Sequence, residues 1–236
     1  MAEQIPKSPT DWGTVAQWVL AVLTLLAVVV ALLKEEIVKL WRRPKLVATI
    51  KLSPPDSHKT YWRYIIPETP LVSRFADCYF LRLWVRNLGN VRAEKVQVFA
   101  EKLSKRIVDG TFIPVRDFMP MNLCWAHTNE IFAEGISPLM GRHCDLGHIT
   151  FPGALVDLQE DHPDAPQEST ILALNLEVKP NTKNHLVLPG TYRLVLKIAA
   201  TNSPPVTKTL EITLTGTWYD DQEKMFSDGI GIRTID

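Results

Sequence analysis

Residues 79–87 read YFLRLWVRN, and their side chains alternate between two sets. One set is entirely apolar and consists of Tyr79, Leu81, Leu83 and Val85. The other set mixes aromatic and basic side chains and consists of Phe80, Arg82, Trp84 and Arg86. Because successive side chains of a strand point to opposite faces, this alternation predicts a strand with one buried face. It places the chain in the mainly β fold class.

Short alternating segments recur on both sides of this strand, separated by Gly, Pro and Asn. This arrangement is typical of antiparallel sheets in which each strand buries one face. The segment NLGN at 87–90 supplies residues that tolerate positive φ, so it predicts either a hairpin or a turn from one sheet to another. We predict further strands at 46–52, 93–103, 112–115, 121–125, 144–150, 171–178, 191–200 and 207–215.

The N-terminal part of the chain has a different pattern. Residues 12–33 read WGTVAQWVLAVLTLLAVVVALL and carry no charge. As a helix this segment rises about 33 Å, which is enough to cross the hydrocarbon core of a bilayer. A secretory signal would begin with a basic region and end at a small-residue cleavage site, and the sequence has neither. We therefore predict an uncleaved transmembrane helix, preceded by a short extracytoplasmic segment at 1–11.

Basic residues lie mainly on the C-terminal side of this predicted helix. Lys7 stands alone on the N-terminal side, whereas the other side carries Lys34, Lys39, Arg42, Arg43, Lys45 and Lys51. Lys and Arg close to a span stay in the cytoplasm, so we predict a single-pass inner-membrane protein of bacterial type with its N-terminus outside. Residues 34–45 should extend the helix as a basic juxtamembrane segment that Pro44 ends. The cluster is either a topology signal or a contact for anionic lipid head groups.

Two segments of the predicted β domain carry a further pattern. Residues 81–98 read LRLWVRNLGNVRAEKVQV, and residues 188–205 read LPGTYRLVLKIAATNSPP. The first resembles a strand, turn and strand of immunoglobulin-like sandwiches in bacterial envelope and fibronectin-type proteins. The second is similar to their penultimate strand, with Tyr192 where such domains place a corner tyrosine. The resemblance implies an antiparallel immunoglobulin-like sandwich at 46–218, enlarged by insertions at about 53–77 and 152–169.

The C-terminal tail at 219–236 combines a helical start signal with a short alternating segment. Asp220 and Glu223 take capping-box positions for one helical turn. Ile230, Ile232 and Ile235 then suit a strand, which either completes this domain or pairs with a partner's sheet edge. We favour packing on the same domain, because the alternation needs only a local groove.

One group of residues has the side chains that zinc prefers: Cys124, His127, Cys144 and His148. Cys144 and His148 share a face of the predicted strand but lie about 13 Å apart along it. Ligands of one ion must lie within about 4 Å of each other. Buried cysteines and hydrogen-bonded histidines are therefore the favoured interpretation, and a zinc site is the alternative.

Composition argues against several classes of function. Lys plus Arg and Asp plus Glu both total 26, so the chain has no net positive charge to attract nucleic acid. Three cysteines are too few for a disulfide framework and fit a reducing compartment. The sequence lacks a phosphate-binding glycine loop, a G-x-S-x-G elbow and an H-E-x-x-H motif, so we expect no enzyme activity.

These observations predict a membrane-anchored cytosolic adaptor that binds a protein partner through its loops or a sheet edge. Two alternatives remain open. One is a zinc-stabilised sensor that uses the Cys and His group. The other is a membrane effector of a stress or defence response, whose anchors form a homo-oligomer through Ala21, Ala27 and Ala31.

Overall fold

The computed structural model describes residues 12–65, 73–156 and 158–235. The chain divides into two compact units, of which the first ends at Arg42 and the second begins at Arg43. The predicted segment at 1–11 lies outside the described residues. Each unit is described separately below.

The first unit contains helix α1, Trp12–Trp41. Its window Val15–Lys34 has a mean hydropathy of 2.6, which is apolar and long enough to cross a membrane. None of this window is buried, unlike the core helix of a soluble protein. Helix α1 thus covers the predicted span at 12–33 and most of the predicted juxtamembrane segment. It ends before Arg43, as expected because a residue that precedes proline avoids helical geometry.

The described part of the second unit is built from thirteen strands, and every strand pair is antiparallel. The strands are β1 Leu46–Thr49, β2 Ser57–Ile65, β3 Ser73–Asn87, β4 Ala93–Arg106, β5 Phe112–Pro114, β6 Met121–Asn122, β7 Phe132–Ile136, β8 Gly141–Thr150, β9 Leu172–Leu174, β10 Leu186–Val187, β11 Gly190–Ala200, β12 Ser203–Leu214 and β13 Ile230–Ile235. Three short helical segments accompany them: Pro152–Ala154, α2 Gln222–Lys224 and Met225–Gly229.

The strands form two sheets. Sheet A has the order β1-β3-β8-β9-β10, with β2 also paired to β3. Sheet B has the order β13-β12-β11-β4-β5, with β6 and β7 also paired to β4. Because β3 and β4 belong to different sheets, the NLGN segment at 87–90 is a turn between sheets, which is one of its two predicted forms.

Both sheets contribute to one hydrophobic core. The apolar row predicted for β3 is completely buried, and it consists of Tyr79, Leu81, Leu83 and Val85. The matching row of β11 is buried as well, and it consists of Tyr192, Leu194, Leu196 and Ile198. The period-two prediction therefore gave the correct register for a strand in each sheet, and the antiparallel, mainly β fold with an N-terminal apolar helix is confirmed.

Two local predictions need correction and one is confirmed. The predicted insertion at about 53–77 contains strand β2, whose sequence SHKTYWRYI lacks a clear apolar alternation. The tail forms β13, which pairs with β12 of the same domain, so the favoured alternative is confirmed. The cap of its helical turn is Asp221, one residue later than predicted, and its carboxylate accepts a hydrogen bond from the Lys224 N–H at 2.8 Å.

Candidate functional site

The predicted zinc ligands lie in three different environments. Cys124 and Cys144 are neighbours in the interior, where Cys144 Sγ donates to the Cys124 carbonyl at 3.4 Å. His127 is exposed in a turn with a φ of 69°. His148 is buried beside Glu160, with Nε2 3.0 Å from Oε1. The structure therefore brings the two cysteines together but not the two histidines.

A β-bulge separates His148 from Cys144. Leu81 pairs with Gly147 and Arg82 pairs with Asp145, so Leu146 is an extra residue in β8. The extra residue reverses the alternation, which places Cys144 in the core and His148 on the opposite face, although a shared face was predicted. In the part of the chain that the structure describes, no three His, Cys, Asp or Glu side chains are grouped closely enough to hold a metal ion.

All three thiols are buried. Burial raises the pKa of Cys78 to about 12 and also raises the pKa values of Cys124 and Cys144. The thiolate is the nucleophilic form of cysteine, so these side chains stay protonated and unreactive near neutral pH.

The second face of sheet A differs from its core face in residue type. We call it the outer face, and it consists of Trp62, Phe80, Arg82, Trp84, Arg86, His143 and Asp145. Four of these residues alternate along β3 with the buried apolar row, which is why they share a face. Phe80 and Trp84 are half-buried and Arg86 is exposed, so aromatic rings and a guanidinium group are accessible from solvent.

One half of the outer face is an aromatic and cationic stack. The rings of Trp62 and Phe80 lie parallel with centroids 5.4 Å apart, and the Arg82 guanidinium lies 5.5 Å from the Phe80 centroid. Arg82 Nε donates to Asp145 Oδ1 at 3.0 Å. Burial raises the pKa of Asp145, although the neighbouring Arg82 charge opposes that rise. Ring stacking and the ion pair therefore fix Arg82 in one orientation.

The other half of the outer face is a groove of about 600 Å³ beside Trp84. The Trp84 ring packs against His143, with centroids 4.6 Å apart, and His143 Nε2 lies 3.1 Å from Asp56 Oδ1. A Cβ atom at Gly141 would lie 2.5 Å from the Trp84 ring, so the indole requires glycine beneath it. Besides Trp84, His143 and Asp56, the residues that line the groove include Lys51, Pro54, Pro55, Arg86 and Leu88.

Next to the outer face, sheet A is covered by the segment at 152–169. Leu155 of this segment packs in a small second core with Ile171 and Leu186. Glu160 is only 1% exposed, and it accepts hydrogen bonds from Lys179 Nζ at 3.1 Å and from His148. Burial alone would raise the pKa of Glu160, but His148 and Lys179 outweigh burial and lower it.

Sequence reasoning assigned Phe80, Arg82, Trp84 and Arg86 to one face but did not recognise them as a candidate site. The available signal was the residue types, since Trp and Arg are unusual on the solvent face of a strand and are frequent at interfaces. Glu160 carried no comparable signal, because nothing in an acidic loop shows which carboxylate is buried. Comparison of the chain with protein-family models, curated proteins and solved structures found no match.

Proposed function

We propose that this chain is a membrane-anchored adaptor whose outer face binds a protein partner. In this proposal α1 spans the inner membrane of a bacterial cell, the N-terminus lies outside, and the β domain is an immunoglobulin-like sandwich in the cytoplasm. The observation that carries the proposal is the concentration of accessible Trp, Phe and Arg side chains on the outer face.

These residue types have the properties of binding hot spots. Trp and Arg contribute most of the energy at many protein interfaces, because they combine a large contact area with hydrogen-bond donors. Arg82 is held by Asp145, and Trp84 is held between His143 and Gly141, so binding would cost little side-chain entropy. The carboxylate of Asp56 is paired with His143, and that of Asp145 is paired with Arg82. The positive charges of Lys51 and Arg86 can therefore attract an acidic partner.

Other features support the remaining parts of the proposal. The basic residues that follow α1 favour a cytoplasmic domain, and three free thiols suit a reducing compartment. The high pKa values of these thiols disfavour a cysteine nucleophile, because the thiolate is the reactive form, and this agrees with a binding role. Burial raises the pKa of Tyr192 to about 12 against the effect of a backbone hydrogen bond from Leu188, and this corner contact supports an immunoglobulin-like fold.

Photo-crosslinking in cells that express the full chain tests the binding surface. A photoreactive amino acid at Arg86 should give a discrete adduct with one protein, whereas the same group at exposed Lys102 on sheet B should not. In a direct binding measurement with that protein, Trp84→Ala should weaken affinity by roughly thirtyfold, as expected for a hot-spot tryptophan. Arg86→Ala provides a second, exposed variant that leaves packing intact.

Two results would overturn the proposal. The first is the same set of adducts at Arg86 and Lys102, and the second is unchanged affinity in both outer-face variants. The orientation has its own test, in which a reporter that fluoresces only in the cytoplasm is fused after Asp236. A dark fusion protein with a protease-accessible domain outside the cell would reverse the proposed topology.

A further inference from the structure

Four loops meet at one end of the β domain. They are residues 43–45, 86–92, 137–142 and 200–205. The Leu88 N–H donates to the Lys45 carbonyl at 2.7 Å, and the Leu139 N–H donates to the Asn87 carbonyl at 2.8 Å. Ser203 Oγ donates to the Pro44 carbonyl at 3.3 Å. We call this surface the basic end, and Arg43 in it follows the last residue of α1 by two positions.

The charge of the basic end is one-sided. Its basic residues are Arg43, Lys45, Arg86, Arg92 and Arg142, and the four loops contain no Asp or Glu. All of these basic residues except half-buried Arg142 are exposed. The nearest acidic residue in sequence is Glu94 of β4, whose carbonyl accepts a hydrogen bond from the Thr201 N–H. A strongly cationic surface thus exists in a chain whose net charge is zero.

Large apolar side chains are exposed among these charges. Leu88, Leu139 and Met140 are 42%, 65% and 61% exposed. They are neighbours, because Asn87 is hydrogen-bonded through its backbone to both Leu139 and Met140. Leu139 also has a φ of 62°, a left-handed conformation that favours glycine or asparagine. The backbone of Leu139 therefore has an unfavourable conformation, although its side chain buries little surface within the domain.

We propose that the basic end rests on an anionic lipid surface, with Leu88, Leu139 and Met140 entering the head-group region. Basic residues are attracted to anionic phospholipids, and apolar side chains gain free energy at the boundary with the acyl chains. This combination distinguishes a lipid contact from a purely electrostatic one. The basic end adjoins the outer face at Arg86 and Leu88, but its contact is with lipid, so the proposal goes beyond adaptor function and does not depend on the partner.

The test uses the full chain at one copy per nanodisc, with spin labels on single introduced cysteines. Native Cys78, Cys124 and Cys144 are buried, so labelling is confined to the introduced sites. Leu139→Cys reports on the basic end, and Val108→Cys reports on a fully exposed position in the β4–β5 turn. In discs of phosphatidylcholine with phosphatidylglycerol, the label at 139 should collide with lipid-soluble oxygen, and the label at 108 with an aqueous nickel chelate.

Charge removal supplies the second measurement. Each basic residue at an anionic surface contributes roughly fivefold to partitioning, so Arg43→Gln, Lys45→Gln and Arg92→Gln together should weaken the contact on the order of a hundredfold. A matched triple variant of exposed residues elsewhere, Lys102→Gln, Arg106→Gln and Arg116→Gln, should leave the contact unchanged. Raising the salt concentration should weaken the contact in the same direction as the first triple variant.

Several outcomes would overturn the lipid proposal. One is equal nickel accessibility at 139 and 108 in anionic discs. Another is protection of position 139 that needs two copies per disc, which would assign the basic end to a second copy of this chain. A third is protection that appears only when an outer-face partner is added, which would assign the end to that protein.

Discussion

The basic end is organised around an uncharged residue, Asn87, whereas the opposite end of the β domain is organised around a charged one, Glu160. We call the opposite end the acidic end, and it consists of residues 151–171 and 215–229. These two segments are joined by a hydrogen bond from the Thr170 N–H to the Gly216 carbonyl at 2.8 Å. The described residues of these segments include eight acidic ones, and Lys224 is the single basic one among them.

Asn87 uses its whole side-chain amide. Its Oδ1 accepts hydrogen bonds from the N–H groups of Lys45 and Gly89 at 3.1 and 2.9 Å. Its Nδ2 donates to the carbonyls of Val91 and Ile136 at 2.7 and 3.0 Å. Lys45, the turn that contains Asn87 and the end of β7 are therefore held together by bonds that do not titrate, so acid should leave this end intact.

Glu160 performs the corresponding role in a different way. It holds the segment at 152–169 on sheet A through His148 and Lys179, and it is stable there because its charge is paired. Acid should therefore loosen the acidic end of the domain and leave the basic end intact. The three predictions that follow test this contrast by unfolding residues 43–236, the unit that contains the whole core.

Replacement of Asn87 should have the largest effect. Asn87→Ala removes four hydrogen bonds of about 1 kcal/mol each, so we expect the free energy of unfolding to fall by about 4 kcal/mol. Urea unfolding measures this loss, which should be the same at pH 7 and pH 5 because no titrating group is removed. Asn202→Ala is the matched control at the same end, and its two exposed hydrogen bonds should cost about 1 kcal/mol. A loss at Asn87 no larger than this control would show that Asn87 does not organise the basic end.

The turn that contains Asn87 could be predicted, but its role could not. Asn and Gly at 87–90 indicate a turn from their backbone preferences alone. Two of the four partners, Gly89 and Val91, belong to the same turn, but Lys45 and Ile136 are distant in sequence and reach Asn87 only after both sheets have formed. The buried rows of β3 and β11 were predicted correctly because they depend on local sequence alone. Alternation within a single strand determines which side chains face the core.

The next prediction concerns His185, which is 3% exposed and lies near Glu160, the residue that holds the acidic end. Burial, followed by the nearby charge of Lys179, lowers the pKa of His185 to about 4. Between pH 6.5 and pH 4 the unfolded chain binds a proton that the folded chain does not, so stability falls as pH falls. A shift from 6.5 to about 4 corresponds to a loss of about 3 kcal/mol across this window.

His185→Leu should abolish this loss while leaving stability at pH 7 unchanged or slightly higher. Urea unfolding at half-unit steps from pH 7 to pH 4 measures the difference between the two proteins. His127→Leu is the control for removal of an imidazole, because His127 is exposed in a turn. Parallel profiles for His185→Leu and the unchanged domain would rule out His185 as the source of acid sensitivity.

The candidate site was harder to predict than the fold, and β8 shows why. Cys144 and His148 are four residues apart, so simple alternation assigns them to one face. The extra residue Leu146 reverses that assignment, and Gly147 is required where β8 approaches β9, since a Cβ there would lie 2.3 Å from the Ala173 carbonyl. A bulge depends on the strands on either side, and a single sequence does not show them.

The smallest of the three effects should come from Glu160→Gln, measured in the His185→Leu background so that His185 no longer contributes. The lowered pKa of Glu160 means that its carboxylate stabilises the fold above the unfolded-state pKa, and that this contribution disappears as pH falls through the folded-state pKa.

At pH 7 the substitution should cost about 2 kcal/mol, the value of a hydrogen bond to a charged group. The cost should shrink as the pH falls below the ordinary pKa of a glutamate, because the unfolded chain then binds a proton first, and it should be lost only below the lowered folded-state pKa. Asp161→Asn removes a neighbouring carboxylate whose ion pair with Lys183 is exposed, so it should cost less than about 1 kcal/mol. A cost for Glu160→Gln that stays constant from pH 7 to pH 3 would mean that the shape of the side chain, rather than its charge, holds the acidic end on sheet A.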